Sequence, residues 1–298
     1  MSYEEMATRM SQKAGFIAAL DQSGGSTPGA LRAYGVPDDA YTSDAEMSAL
    51  IHDFRVRVMT APSFTSDKVI AAILFEATMD GTIGETPVPT LLWAERRIVP
   101  FLKVDKGLEG ETDGVSLMKP VPGLETVLGR AVKLRIFGTK MRSTIRLPSP
   151  SGISSIVTQQ FQFAERIAEF GLMPIIEPEI LIGSPDKSGA EAILLDELLA
   201  SLDALPSERS VMLKLTIPDV SDHYAPLAAH PRVTRVVALS GGYSRDEACR
   251  RLSTDHGMIA SFSRALIGDL RHDMDDATFD AVLKTAIDQI YLASTKKT

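Results

Sequence analysis

Three lysines of this chain lie in apolar segments, where a charged side chain is destabilising unless it is paired or functional. They are Lys103 in VPFLKVD, Lys140 in IFGTKMRS and Lys214 in VMLKLTIP. A neutral lysine amine attacks a carbonyl carbon to form a Schiff base, and burial or a nearby cation lowers its pKa toward that state. Lys214 has apolar neighbours and no carboxylate close in sequence, so it is the best candidate nucleophile. A lysine that only extends its ammonium to the protein rim fits the same pattern.

The other two lysines have charged neighbours two residues away, which places each pair on one side of a strand. Lys103 shares its side with Asp105, a neighbour expected to keep it charged. Lys140 shares its side with Arg142, and this cationic pair is suited to hold a substrate. A structural salt bridge is the alternative for any single pair.

Two carboxylates, Glu177 and Glu179, flank Pro178 in PIIEPEI. On one side of a strand they predict general acid–base chemistry, with the pKa of one raised by the other. In the alternative interpretation, one of them only pairs with Lys140 or Arg142.

Two glycine-serine loops are candidates for phosphate binding. Ser240-Gly241-Gly242 precedes a predicted capped helix, and glycines together with a helix N-terminus favour phosphate. Arg264 follows the next apolar segment and would add charge, unless it pairs with Asp21. The second loop runs from Asp21 to Ser26.

Eight short apolar segments alternate with helical patterns, which is typical of βαβ units and a parallel sheet. The predicted strands are Phe16–Ser23, Val69–Glu76, Val99–Asp105, Ile136–Ser143, Leu172–Ile180, Ser210–Ile217, Val233–Gly242 and Gly257–Leu266. The predicted helices are Asp44–Thr60, Leu124–Leu134, Ile153–Phe170, Ala190–Leu202, Ala248–Leu252 and Ala277–Leu292, with capping boxes at Ser43 and Ser244.

Polar residues gather at the C-terminal ends of most predicted strands, among them Asp21, Glu76, Lys103, Lys140, Glu177, Lys214, Ser240 and Arg264. Only a closed barrel brings all eight ends together, and a barrel carries its active site on that face. The fold class is therefore predicted as α/β, a (β/α)8 TIM barrel, with residues 1–298 forming one catalytic domain.

Composition narrows the function classes. The net charge is −8 with no basic stripe, so no nucleic-acid partner is expected. The chain lacks a signal-peptide pattern and any apolar run near the roughly 20 residues that span a bilayer, so we expect a cytoplasmic protein without a membrane partner. Cys249 is the single cysteine, and the five histidines show no metal-ligand spacing, so neither a metal nor a cofactor is predicted. The sequence leaves the oligomeric state open and allows a homo-oligomer.

Eight motifs, in order over nearly the whole length, make the chain resemble the class I fructose-1,6-bisphosphate aldolases in their shorter bacterial form. The motifs are LDQSGGSTPGAL, ILFEATMD, PFLKVDKG, FGTKMRS, PIIEPEI, VMLKLTIP, LSGGYSRDEA and ASFSRAL. The resemblance implies reversible cleavage of fructose 1,6-bisphosphate to dihydroxyacetone phosphate and glyceraldehyde 3-phosphate, as in glycolysis and gluconeogenesis. The implied partner is a phosphorylated ketose.

The resemblance also implies residue roles. Lys214 would form the Schiff base, and Glu177, beside Glu179, would transfer protons. The remaining implied site residues fall into three groups: Asp21, Lys140 and Arg142 at the substrate hydroxyls; Ser240, Gly241, Gly242, Ser263 and Arg264 at the phosphate next to the ketone; and Ser23, Ser26 and Lys103 toward the other phosphate.

Some positions depart from the family pattern. The animal enzymes have glutamate where this chain has Gln22 and glycine where it has Ser263. They also end in a mobile tail with a terminal tyrosine, whereas Tyr291, the last tyrosine here, falls in a predicted helix. The competing hypotheses are an aldolase for tagatose or sedoheptulose bisphosphate and a non-catalytic barrel that senses a sugar phosphate.

Overall fold

The computed structural model describes residues 2–22 and 27–298. The apolar segments form eight strands that close into a ring. The strands are β1 (Phe16–Leu20), β2 (Val69–Leu74), β3 (Val99–Lys103), β4 (Gly138–Ile145), β5 (Met173–Ile180), β6 (Val211–Thr216), β7 (Val233–Leu239) and β8 (Met258–Phe262). Each strand pairs in parallel with the next, and β1 pairs with β8, so the ring is a (β/α)8 barrel, as predicted.

Most of the helices surround this ring and pack an apolar face on the outer side of the strands. The longer helices are α1 (Tyr3–Gln12), α2 (Thr27–Tyr34), α3 (Asp44–Thr60), α4 (Leu124–Lys133), α5 (Pro150–Glu169), α6 (Lys187–Asp203), α7 (Arg245–Leu252) and α8 (Asp276–Thr295). Shorter elements occupy the loops: helices at Glu76–Met79, Val88–Thr90, Ala225–Ala228 and Arg264–Ile267, a 3₁₀ turn at Asp38–Ala40, a π turn at Leu91–Glu95, a hairpin of Thr82–Ile83 with Thr86–Pro87, and Val115–Ser116 antiparallel to β4. None of the helices in the described parts of the chain has the length and apolar character needed to span a membrane.

Side chains alternate along each barrel strand between two apolar clusters. In β1, Phe16, Ala18 and Leu20 pack toward the helices, whereas Ile17 and Ala19 point into the barrel. Helix α1 contributes Met6 and Met10 to the inner cluster, so it covers the N-terminal end of the barrel. The inner cluster therefore forms an apolar floor beneath the C-terminal mouth.

The inward-facing positions change from apolar to charged near the C-terminal end of the strands. On β5, Ile175 belongs to the floor and Glu177 lines the mouth. On β6, Met212 belongs to the floor and Lys214 lines the mouth. This step is the physical origin of the polar strand ends seen in the sequence.

Several predicted boundaries were wrong. Strand β2 ends at Leu74, and Glu76 starts a short helix in which its carboxylate pairs with Lys106 and Arg130 outside the barrel mouth. Strand β7 ends at Leu239, before the glycines, and β8 ends at Phe262. The predicted β7 and β8 were too long because Gly and Ser residues follow both strands in turns. Periodicity alone does not distinguish such turn residues from the last residues of a strand.

Helix α3 matches its predicted bounds, and its cap is only half of the predicted box. The Ser43 hydroxyl accepts from the Glu46 N–H at 3.2 Å. The Glu46 carboxylate, however, accepts from the Thr42 N–H at 2.6 Å rather than from the N–H of Ser43. Helices α1 and α2 were not predicted.

Candidate active site

Four charged side chains form a continuous chain of ion pairs just above the apolar floor. The Lys140 ammonium lies 2.6 Å from Oδ2 of Asp21 and 2.9 Å from Oε2 of Glu177. The other oxygen of Glu177, Oε1, lies 2.9 Å from the Lys214 ammonium. All four residues are buried, so each charge is compensated mainly by the others rather than by water.

Strand order brings this group together. Lys140, Glu177 and Lys214 face inward from the neighbouring strands β4, β5 and β6, and Asp21 follows β1 across the barrel. The pairing of β4 with β5 sets Arg142 beside Glu177. These residues are far apart in sequence, so only barrel closure places them within contact distance.

Burial and the neighbouring charges oppose each other in setting the pKa values. Burial alone would raise the pKa of Asp21 and of Glu177, but the ammonium groups of Lys140 and Lys214 outweigh it and hold both pKa values below their ordinary range. For Lys140, burial would lower the pKa, but Asp21 and Glu177 outweigh it and raise the pKa above its ordinary value. Lys140 is therefore a fixed cation, and Asp21 and Glu177 are carboxylates at neutral pH.

Contacts between strands add to two interpretations made from the sequence. The sequence predicted that the pKa of one of the two glutamates is raised by the other, whereas the pKa of Glu177 is lowered by Lys140 and Lys214. The segment around Lys214 lacks a carboxylate close in sequence, as predicted, but the fold supplies one from β5, at 2.9 Å. Neither contact is visible in the sequence, because each joins different strands.

The two oxygens of Glu177 are not equivalent. Oε2 is buried and receives no hydrogen bond from any described residue, although it lies 2.9 Å from the Lys140 ammonium. Its contact with Lys140 is therefore electrostatic and poorly aligned. An oxygen with a free lone pair beside a fixed cation can accept a proton from a bound molecule.

Two further pairs flank the group. Arg142 Nε lies 2.5 Å from Oε2 of Glu179, so Glu179 pairs with Arg142, as the alternative interpretation of the glutamates allowed. Lys103 lies 2.7 Å from Oδ1 of Asp105, and this confirms the predicted pair. Lys103 also donates to the Asp105 carbonyl at 2.8 Å.

The opposite side of the mouth contains the turn after β7. Gly241 and Gly242 have φ values of +60° and +116°, a backbone region that favours glycine. A Cβ on Gly241 would lie 2.6 Å from Ile182, so the turn also requires a small residue. The position of a Cβ on Gly242 lies 3.5 Å from a terminal nitrogen of Arg264.

Arg264 does not end β8, as predicted, but begins the short helix Arg264–Ile267. Its side chain is exposed and lines the mouth, and it makes no ion pair with residues 2–22 or 27–298. The alternative pairing with Asp21 is not observed, since Asp21 pairs with Lys140. A free guanidinium next to a glycine turn suits a phosphate dianion.

All of these groups line one cavity of about 760 Å³ at the C-terminal mouth. It includes the predicted residues Asp21, Lys103, Lys140, Arg142, Glu177, Glu179, Lys214, Ser240, Gly241, Ser263 and Arg264. Gly242 borders it through the contact with Arg264, whereas Ser23 and Ser26 lie outside the described residues. Asp105, predicted as the partner of Lys103, also lines the cavity. The lining residues that were not predicted are mostly small or apolar: Ala19, Gly29, Ala30, Ala33, Gly107, Leu108, Leu239 and Ser261, with Gln22.

Two polar residues near the cavity were missed as contributors. Gln22 donates through Nε2 to the Ser263 hydroxyl at 2.5 Å, and Gln160 accepts from the Glu177 N–H at 2.8 Å. Gln22 lies next to Asp21 in the motif LDQSGGSTPGAL, and this position could have identified it as a site residue. Gln160 lies on a helix and gave no such signal.

No group of three or more histidine, cysteine, aspartate or glutamate side chains suited to a metal occurs in the described part of the chain.

Comparison with known proteins finds relatives over nearly the whole length of the chain. No protein-family model matches it. The class 1 fructose-bisphosphate aldolase of Porphyromonas gingivalis is 52% identical over 98% of this chain and 99% of its own. The class 1 fructose-bisphosphate aldolase of a Synechocystis species is 52% identical over 98% of this chain and 97% of its own.

Solved structures are more distant in sequence and support the fold alone. Fructose-bisphosphate aldolase from Plasmodium falciparum aligns with a TM-score of 0.76 and 22% identity, over 99% of this chain and 96% of its own. A Corynebacterium glutamicum protein aligns with a TM-score of 0.58 and 16% identity, over 98% of this chain and 92% of its own.

Proposed function

Because this chain belongs to the class 1 fructose-bisphosphate aldolases, we propose that Lys214 is its Schiff-base nucleophile and Glu177 its proton-transfer group. The protein is a metal-independent lyase that cleaves fructose 1,6-bisphosphate reversibly. The observation that carries the residue assignment is the Glu177 carboxylate, whose two oxygens lie 2.9 Å from Lys214 and 2.9 Å from Lys140.

The first step requires the neutral amine of Lys214 to attack the ketone carbon. Glu177 Oε1 would take the ammonium proton before the attack, across the 2.9 Å contact. Glu177 then returns this proton to the hydroxyl of the addition product, which leaves as water and gives the iminium, so that Glu177 is a carboxylate again before the next step. The positive nitrogen then draws electrons from the carbon–carbon bond that breaks, while a base takes the proton of the hydroxyl that becomes the aldehyde.

We assign that proton transfer to the free oxygen of Glu177, Oε2. Asp21 and Lys140 would bind substrate hydroxyls, and Arg142 with Glu179 would border them. The enamine left on Lys214 regains a proton at carbon and is released when water returns. Each group then ends in the state in which it started.

The two ends of the cavity would hold the two phosphates. Ser240, Gly241, Gly242, Ser263 and Arg264 would provide donors, and a cation without an ion pair among the described residues, for the phosphate next to the ketone. Lys103, Ser23 and Ser26 would bind the other phosphate, as the family resemblance implies. We propose that residues 1–298 act as one catalytic domain.

The decisive experiment is reduction with borohydride in the presence of dihydroxyacetone phosphate, followed by peptide mapping. We expect one adduct, on Lys214, and no turnover in Lys214→Arg, because a guanidinium does not form the imine. Adducts on Lys140 or Lys103 would contradict the assignment. Dialysis against EDTA should leave the activity unchanged; a loss that zinc restores would point to metal polarisation of the carbonyl instead.

A further inference from the structure

Backbone pairing between β5 and β6 stops just before Glu177 and Lys214. The register between these strands runs through Ile175 with Met212 and Ile176 with Leu213. The next residues along are Glu177 and Lys214, and Pro178 has no N–H to continue the ladder. The strand segment that carries Glu177 therefore lacks pairing on the side facing Lys214.

A side chain takes the place of the missing ladder at the end of the unpaired segment, where the hydroxyl of Thr216 donates to the carbonyl of Ile180 at 2.6 Å. A second side chain holds the start of the segment from the other side of β5, which faces β4: the N–H of Glu177 donates to Oε1 of Gln160 at 2.8 Å. Gln160 reaches this point from α5, outside the barrel, and is fully buried.

A glutamine is an unusual choice for this position. The other buried residues of α5 are mostly apolar, such as Ile156, Val157 and Ala164. The Nε2 group of Gln160 has no hydrogen-bond partner among the described residues, which makes burial of the amide unfavourable. Because this buried amide lowers the stability of the fold, we take its hydrogen bond to the Glu177 N–H as its role in the site.

We infer that Gln160 is a positioning residue that fixes the backbone of Glu177 where β5 and β6 separate, so that its carboxylate spans Lys140 and Lys214. This inference rests on the proposed role of Glu177. Its physical basis is that a carboxylate must hold two ammonium groups at 2.9 Å on different strands, and a small rotation of its backbone would break one contact.

The test replaces Gln160 by methionine, which has a similar length and no strong acceptor. We expect kcat to fall roughly tenfold, the rate equivalent of one modest hydrogen bond in the transition state, with KM changed less than about twofold. Gln160→Asn keeps the amide but withdraws its oxygen by one bond, about 1.5 Å, and should give an intermediate loss.

The pH profile separates positioning from mere stability. The charged groups that act on Glu177 come from two strands and the end of β1, namely Lys140 and Arg142 on β4, Lys214 on β6, and Asp21. Displacing Glu177 from the lysines removes part of what lowers its pKa, so the acidic limb of kcat should move to higher pH in both Gln160 variants.

The neighbouring glutamine is a matched control. Gln159 also accepts from a backbone N–H, that of Met118, at 2.9 Å, and donates to the Met118 carbonyl at 3.0 Å. Gln159→Met should lower the melting temperature without moving kcat or the acidic limb.

Glu177→Gln is measured alongside. If it leaves kcat unchanged, the proposed function of Glu177 fails. If it lowers kcat while folded Gln160→Asn keeps both the kcat and the acidic limb of the unmodified protein, only the role of Gln160 is overturned. Should Gln160→Met not fold, Gln160→Asn decides the question alone.

Discussion

The side-chain amide of Gln22 donates a hydrogen bond of 2.5 Å to the hydroxyl of Ser263, which joins the end of β1 to the turn after β8. Both positions are departures from the animal enzymes. The same Nε2 donates to the Ala19 carbonyl at 3.3 Å, and a carbonyl can only accept, so the amide orientation is fixed. The Ser263 hydroxyl is therefore an acceptor for Gln22 and keeps its own proton for a phosphate oxygen in the cavity.

We predict that Gln22→Glu weakens binding of phosphorylated substrates through Ser263. A glutamate would accept the hydroxyl proton and turn it away from the phosphate, raising KM by roughly two- to tenfold, the range of one neutral hydrogen bond. A double-mutant cycle with Ser263→Ala measures this, because direct charge repulsion persists in both backgrounds and cancels. Additive effects would show that the two residues act separately.

We predict that Arg264→Ala reduces affinity for the phosphate next to the ketone. The loss should be about 1.5–3 kcal/mol, or roughly tenfold to more than a hundredfold in affinity, for fructose 1,6-bisphosphate and fructose 1-phosphate alike. The melting temperature should hardly change, since Arg264 is exposed and makes no ion pair within the described residues.

Arg271→Ala serves as the control for Arg264. Among the described residues, Arg271 bonds only nearby carbonyls, Gly268 at 2.7 Å and Leu270 at 2.8 Å, and it is not one of those that line the cavity. A lower melting temperature with normal substrate affinity in Arg264→Ala would move the phosphate site elsewhere.

We predict that Glu177→Gln lowers kcat by about 10²–10⁴, the usual contribution of a positioned acid–base group, while KM changes little. Glu191→Gln is the matched control, because Glu191 is an equally buried carboxylate that pairs with Lys187 away from the cavity. It should lose stability and keep kcat. Steady-state kinetics on both variants distinguish catalysis from folding, and a raised KM with normal kcat in Glu177→Gln would make Glu177 a binding residue.

We predict that Asp255 makes the stability fall as the pH rises from 4 to 7. Burial raises the pKa of Asp255 to about 6, from an ordinary value of 3.8. A raised folded-state pKa adds stability only while the group is protonated, and this contribution disappears as the pH passes about 6. Asp255→Asn, which can still accept from the Asp222 N–H, should gain about 2–4 °C in melting temperature at pH 7 relative to pH 4.

Asp222→Asn is the control of opposite sign, since a hydrogen bond from the His256 N–H lowers the pKa of Asp222. It should lose stability relative to the unmodified protein at pH 7. Thermal unfolding at the two pH values tests both variants, and a pH-independent difference for Asp255→Asn would contradict the prediction.

Local patterns were sufficient to predict the barrel. Apolar segments ending in polar residues gave the eight strands and their common mouth, and the apolar neighbours of Lys214 made it the best candidate nucleophile, a role that stays a prediction. Helix α1 was missed because its polar sequence carries only two fully buried side chains, Met6 and Met10.

Contacts between strands could not be predicted in the same way. The Glu177 contacts with Lys140 and Lys214 join residues on neighbouring strands and lower the pKa of Glu177, whereas the sequence predicted a raised pKa for one of the two glutamates. The Gln160 contact depends on how α5 lies against β5, which no spacing in the sequence encodes. Arg264 was assigned to a strand because its helix has only four residues, too short for a periodic pattern.

The step from apolar floor to charged mouth has a consequence for laboratory evolution. On β5 or β6, a move of two residues, from Ile175 to Glu177 or from Met212 to Lys214, crosses from a position that packs in the floor to one that lines the cavity. Substrate scope can therefore be diversified at the small residues rimming the cavity, such as Gly29, Ala30 and Ala33, with the floor held constant. A library of variants confined to those rim positions would test ketoses of new shape, while the apolar floor would maintain the free energy of unfolding of each variant.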